Sequence, residues 1–283
     1  MQEEAHASRD RGPPGRDMYR ILMCLALVAT LTACVMPAQR ADRAASRLGL
    51  IKRIVQGTEF RHVVYLKLGS RPSASLHVYI EGDGSPWIGG EIESDDPTPR
   101  NLLVLKLMAL DPSPSVYLGR PCYFGLARDA GCSAALWTSE RYSERVVAST
   151  AAALRTVMQQ NASRALVLIG HSGGGTLAML LAARMSKVRA VVTLAGNLDP
   201  DAWAAYHGYE PLRGLSPARQ PALSPEIREI HCAGGRDRNM PLAILRAAAA
   251  RSPRAELLVF PDFDHACCWE GVWRQLQEHW KLP

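Results

Sequence analysis

The chain has 283 residues, 47% of them hydrophobic and 21% charged, which suffices for one substantial core and makes a single α/β domain the economical reading. The formal net charge is +6, but no basic run interleaves with aromatics and no zinc-finger or RNA-binding signature occurs. Composition and charge thus leave no case for a nucleic-acid partner, and the basic excess reads as a solvated surface.

Residues 1–17 are polar, and Met18-Tyr19-Arg20 then leads into an apolar run from Ile21 to Leu31, too short to span a bilayer comfortably. This reads as a secretory signal, with Met18 a second possible start that gives a signal of ordinary length. It ends in Leu31-Thr32-Ala33-Cys34, which resembles the bacterial lipobox, where the cysteine is acylated and becomes the new N-terminus. Residues 1–34 are therefore expected to be a signal, and the protein to be exported and held to a membrane by an N-terminal lipid. Val35 follows the cysteine, and the absence of aspartate there points to the outer membrane, facing the periplasm. Arg40, Arg43, Arg47, Lys52 and Arg53 stand against Asp42 alone, so 35–58 reads as a basic tether suited to an anionic lipid surface.

The folded domain is expected over 59–283. Phe60 to Leu68 and Ser75 to Ile80 read as two strands joined in a hairpin. The second ends in a glycine-bearing loop, Glu81-Gly82-Asp83-Gly84-Ser85-Pro86-Trp87. Thr98 can cap a helix with Pro99 at its first position, running to Leu110, with Glu91, Glu93, Asp95 and Asp96 ahead of its positive end. Ser115 to Leu118 is a short strand, and Cys122 and Cys132 bracket a loop. Val147, Ala151, Leu154 and Met158 form one helical stripe ending near Gln160.

Next comes a buried strand, Ala165 to Ile169, which breaks into Gly170-His171-Ser172-Gly173-Gly174 and then a strong helix former from Thr176 to Arg184. A Gly-x-Ser-x-Gly segment between strand and helix sets a serine on a tight turn at a positive helix end. The plainer alternative is a glycine-rich turn with a capping serine. Val188 to Ala195 is another strand, and the regular alternation argues a parallel sheet with right-handed crossovers.

Between 196 and 225 the pattern lapses into prolines and aromatics, Trp203, Tyr206 and Tyr209 among them. A strand from Glu226 to Cys232 precedes a loop with Asp237, and a strand from Glu256 to Phe260 precedes His265. Trp269, Val272, Trp273, Leu276 and Trp280 make a final amphipathic stripe.

The elbow at Ser172, with Asp237 65 residues on and His265 a further 28, each just past a strand, resembles the α/β-hydrolase superfamily, and a bacterial lipoprotein branch of it. The likeness spans about 60–281, and it implies a lid at about 196–225, too short here for a large cap, with Trp203, Tyr206 and Tyr209, together with Trp87, lining an acyl or alcohol pocket. It implies a mostly parallel twisted sheet with helices on both faces, and a serine hydrolase acting on a small acyl ester without metal or cofactor. Ser172 would attack, His265 would act as general base and then acid, and Asp237 would orient the imidazole. The Gly173 N–H would be one oxyanion donor. Glu81-Gly82 stands where the family commonly has His-Gly, so Asp83 or Gly82 would supply the other.

Asp199 and Asp201 are alternative acids, while His171, His207 and His231 read as structural. Thioester or amide cleavage uses the same chemistry, and a non-catalytic lipid-anchored binding protein or a zinc site from Cys232, His265, Cys267 and Cys268 are rivals of other classes. In an oxidising compartment Cys122 and Cys132 are the natural local pair. A bond from Cys232 to Cys267 or Cys268 would pin the histidine loop, the alternative being three buried thiols.

Overall fold

A computed structural model describes residues 36–69 and 75–282; the expected signal and Cys34 lie outside them. In chain order the elements are α1 (Pro37–Arg47), β1 (Ile51–Gln56), β2 (Arg61–Lys67), β3 (Ser75–Ile80), β4 (Trp87–Ile88), β5 (Ile92–Glu93), α2 (Leu103–Leu110), β6 (Ser115–Leu118), α3 (Glu144–Gln160), β7 (Ala165–His171), α4 (Gly173–Ala182), β8 (Val188–Leu194), α5 (Pro200–His207), β9 (Arg228–Gly234), α6 (Leu242–Ala249), β10 (Glu256–Phe260) and α7 (Trp269–Trp280).

Eight strands form one sheet in the order β1-β2-β6-β3-β7-β8-β9-β10, parallel from β6 to β10 and antiparallel where β2 joins β1 and β6. Its central strands carry unbroken apolar runs because both faces are covered: every residue of β3 is buried, as is every residue of β7 after Ala165. Helices α2 and α7 pack on one another, as do α3 and α4. The α7 stripe buries Trp269, Trp273 and Trp280 fully, so losing any of these indoles is expected to cost about 3–5 kcal/mol. The α3 stripe Val147, Ala151, Leu154 and Met158 is likewise buried, behind an N-cap at Ser143.

Three expectations are corrected. The β2–β3 hairpin does not form, because β6 lies between the two strands, antiparallel to β2 and parallel to β3. Helix α2 begins at Leu103 rather than Pro99, and the Thr98 hydroxyl accepts from the Phe124 N–H instead of capping. Of the stretch 35–58 expected as a tether, Pro37–Arg47 and Ile51–Gln56 fold instead as helix and strand. Small residues at Ala38, Ala41 and Ala45 let α1 bury one face, the Asp96 carboxylate takes its Ala38 N–H, and β1 becomes the edge strand of the sheet. The short hairpin β4–β5, placed just ahead of α2, carries Trp87, Ile88 and Ile92 exposed.

Candidate active site

Ser172 sits between β7 and α4 with φ 52° and ψ −124°, a left-handed conformation a non-glycine residue holds only at a cost of about 1–3 kcal/mol. The turn is locked from both sides, since the Ser172 N–H donates to the Leu194 carbonyl and its own carbonyl accepts from Gly175 and Asn197. The flanking glycines are steric necessities: a Cβ on Gly170 would lie 2.3 Å from the Gly174 carbonyl oxygen, and one on Gly173 would lie 2.0 Å from Asp83 Oδ1. The serine side chain makes no capping hydrogen bond, so the plain capping-serine reading does not describe this turn.

Asp237 lies on the loop after β9, its side chain fully buried. Its Oδ1 accepts the Asn239 and Met240 N–H groups at 2.9 and 2.8 Å, and Oδ2 meets His265 Nδ1 at 2.8 Å. That pairing leaves the lone pair of the neutral imidazole on Nε2, which takes the Asn239 side-chain amide at 2.9 Å rather than the Ser172 hydroxyl. Asn239 also ties this loop to the lid region, its carbonyl accepting from Trp203 Nε1 and His207 Nε2. The alternative acids are engaged elsewhere: Asp199 caps α5 and Asp201 pairs with Arg219.

His171 is buried beside Ser172 and donates from Nε2 to the His265 carbonyl at 2.7 Å, its ring 4.9 Å from that of His265. Burial, then the neighbouring His265, lower its pKa to about 4, so it is neutral. Its Nδ1 faces Glu81 Oε1 at 3.7 Å. Glu81 is itself buried, and that burial raises its carboxyl to about 8, against the Val104 and Gly82 N–H groups and the charges of Arg120 and Lys106, which favour the anion. His231 is a core residue paired with Thr193.

The loop after β3 passes against the elbow, with a Cβ on Gly82 falling 3.2 Å from Ser172 Cβ. Among the described residues the N–H groups of Asp83 and Gly173 have no protein acceptor. The Asp83 carboxylate is clamped: Arg120 Nη2 at 2.6 Å and Tyr142 OH at 2.7 Å bind Oδ1, and Arg141 Nη1 at 2.9 Å binds Oδ2. Burial alone would raise its pKa, but the two guanidiniums outweigh that and hold it below the usual range. No sequence motif marks Arg120, Arg141, Tyr142 or Asn239 as parts of this site.

A cavity of about 1020 Å³ opens here, lined by Ser172 and His265 together with Trp87, Trp203, Tyr209 and Arg141. Tyr206, expected beside them, does not line it and stands 63% exposed. The cysteines also differ from expectation. Cys122 bonds Cys132, but Cys267 bonds its neighbour Cys268, and Cys232 is a free, buried thiol whose pKa burial pushes well up. The bond from Cys232 to the histidine loop is therefore absent, and the zinc alternative loses two thiolates. Cys232 looks inward from β9, whereas Cys267 and Cys268 are exposed.

The architecture is the α/β-hydrolase fold, and a family described as "alpha/beta hydrolase fold" matches residues 125–210, across the elbow. Among solved structures the chain is similar to a bacterial membrane phospholipase A (TM-score 0.59, 16% identity, 94% of this chain and 97% of that one). It is also similar to a putative hydrolase from Agrobacterium vitis (0.57, 15%, 81% and 98%) and an alpha-beta serine hydrolase homologue from Coxiella burnetii (0.55, 18%, 81% and 94%). No curated protein matches the sequence.

Proposed function

We propose that the protein is a serine hydrolase of carboxylic esters working through an acyl-serine intermediate. The observation that carries this reading is a serine held at φ 52° on a strand-to-helix turn, in the wall of the same cavity as a His265–Asp237 pair 2.8 Å apart. In the reaction His265 Nε2 exchanges the Asn239 amide for the Ser172 hydroxyl and takes its proton as Oγ bonds the ester carbonyl carbon. The carbonyl electrons move to oxygen, which meets the Gly173 and Asp83 N–H groups. Collapse of the tetrahedral species expels the alkoxide, which receives the proton from Nε2. Water repeats the cycle on the acyl-serine and releases the acid. Asp237 keeps the Nδ1–H tautomer and steadies the imidazolium. Thioesters and amides would follow the same path. The further part of the proposal is export and attachment to the bacterial outer membrane, facing the periplasm, through acylated Cys34 of the lipobox-like segment.

Ser172→Ala tests the reading. The variant is expected to keep its fold, to lose about 10⁴-fold or more in kcat on nitrophenyl esters, and to escape fluorophosphonate labelling. Labelling of the variant at the wild-type level refutes the assignment, and a wild-type protein inert to both reagents favours a non-catalytic binder.

A further inference from the structure

Directly behind the loop that faces Ser172, two arginines share one carboxylate. Arg120 and Arg141 have side chains 3% and 8% exposed, and both bind Asp83. The buried acid Glu81, whose carboxyl interacts with the Arg120 charge, is raised by burial to about 8 and so is mainly protonated at neutral pH, while Glu140, next to Arg141 in the chain, is only half-buried. Tyr123, Tyr142 and Tyr117 beside the cluster are kept neutral by their own burial, as is His171. The interior thus holds one net positive charge next to the nucleophile. Charges at the cavity mouth do not cancel it: Arg100 and Arg213 there are matched by Glu93 and Glu210, all four exposed and screened by solvent.

The second arginine is also more than a clamp can use. Arg141 Nε donates to the Thr138 carbonyl and Nη1 to Asp83, whereas Nη2 has no acceptor among the described residues. It is not among the polar atoms sealed from solvent, and Arg141 lines the cavity, so this donor opens into it. A buried cation with a spare, solvent-facing N–H is a site for a charge-assisted hydrogen bond.

We infer that Arg141 is an anion subsite of the cavity, and that the ester hydrolysed carries a carboxylate or phosphate group that docks on Arg141 Nη2 while its carbonyl lies at Ser172. The inference rests on the ester-hydrolase reading for its substrate but makes a binding claim of its own. It is tested by comparing the 4-nitrophenyl monoester of succinic acid with the 4-nitrophenyl ester of butyric acid, four-carbon acyl groups that differ in one carboxylate. Wild type is expected to favour the succinyl ester in kcat/KM, and Arg141→Gln to lower that preference by about 10- to 100-fold, the range of a hydrogen bond to a charged group. Arg141→Lys, which keeps the charge, is expected to retain part of it. Parallel loss on both esters in Arg141→Gln means that the arginine only braces Asp83, and overturns the subsite. So does a wild-type preference for the butyryl ester. Calorimetric titration with succinate and with inorganic phosphate separates the two anion types and needs no turnover: binding by wild type that Arg141→Gln loses supports the subsite, and absence of binding of either anion overturns it. If neither ester is cleaved and Ser172 is not labelled while binding persists, the hydrolase reading fails and the subsite stands.

Discussion

Glu81→Gln is expected to stabilise the protein, and by an amount that depends on pH. The carboxyl lies inside the domain, and its burial outweighs the Val104 and Gly82 N–H groups and the charges of Arg120 and Lys106, so ionising it there is unfavourable and its pKa moves from 4.5 to about 8. The unfolded chain ionises near 4.5, the folded one only near 8. Between these values the unfolded state binds fewer protons, so stability falls as pH rises through this window and levels off above it. At 1.36 kcal/mol per pH unit, the penalty is about 1 kcal/mol at pH 5, about 3 at pH 6.5 and about 4 at pH 8. Glutamine keeps the shape and cannot ionise, so it removes the penalty, and contributions from groups common to both proteins cancel in the difference. Urea unfolding of wild type and variant at these three pH values is expected to give a stability difference that widens in that order. A difference that stays flat across pH, or that favours wild type more as pH rises, refutes the claim that the buried carboxyl is protonated in the fold.

Asp237→Asn is expected to lower kcat on nitrophenyl esters by about 10⁴-fold, because the amide can hold the imidazole in the wrong tautomer, whereas Asp199→Asn affects chiefly the N-cap of α5. A crippling Asp199→Asn beside a nearly silent Asp237→Asn would reverse the assignment. Replacing Cys122 and Cys132 together by alanine is expected to cost about 3 kcal/mol, from the ten-residue separation of the bonded pair, and equal unfolding midpoints with and without reductant in wild type would contradict it. Cys34→Ala is expected to abolish incorporation of radiolabelled palmitate and to move the protein from the membrane to the soluble fraction; retention of the label would place the lipid elsewhere.

Patterns local in the chain were legible without the structure. The apolar runs of β7 and β8, the stripe of α3 and the tryptophan face of α7 depend on periodicity over one element, and burial follows from it. The Gly-His-Ser-Gly-Gly segment dictates part of its own turn, because a Cβ at 170 would meet Gly174 of the same segment, whereas the need for glycine at 173 comes from Asp83 on the distant loop after β3. Pairing between distant segments is a different matter. That β6 enters between β2 and β3, or that α1 and β1 join the domain instead of trailing from it, is set by which surfaces remain to be covered once the sheet forms. The cysteine pairing turned on side-chain direction, with Cys232 facing the core and its expected partners facing solvent. The setting of the candidate site was the least legible part. Asp83 gains its two arginines from residues 37 and 58 positions away, and His265 gains Asn239 from the loop after β9 and His171 from the end of β7. Charge and hydrogen bonding act through space, so only the folded chain decides which buried acid stays protonated, which stays ionised, and where a spare cation is left facing the cavity.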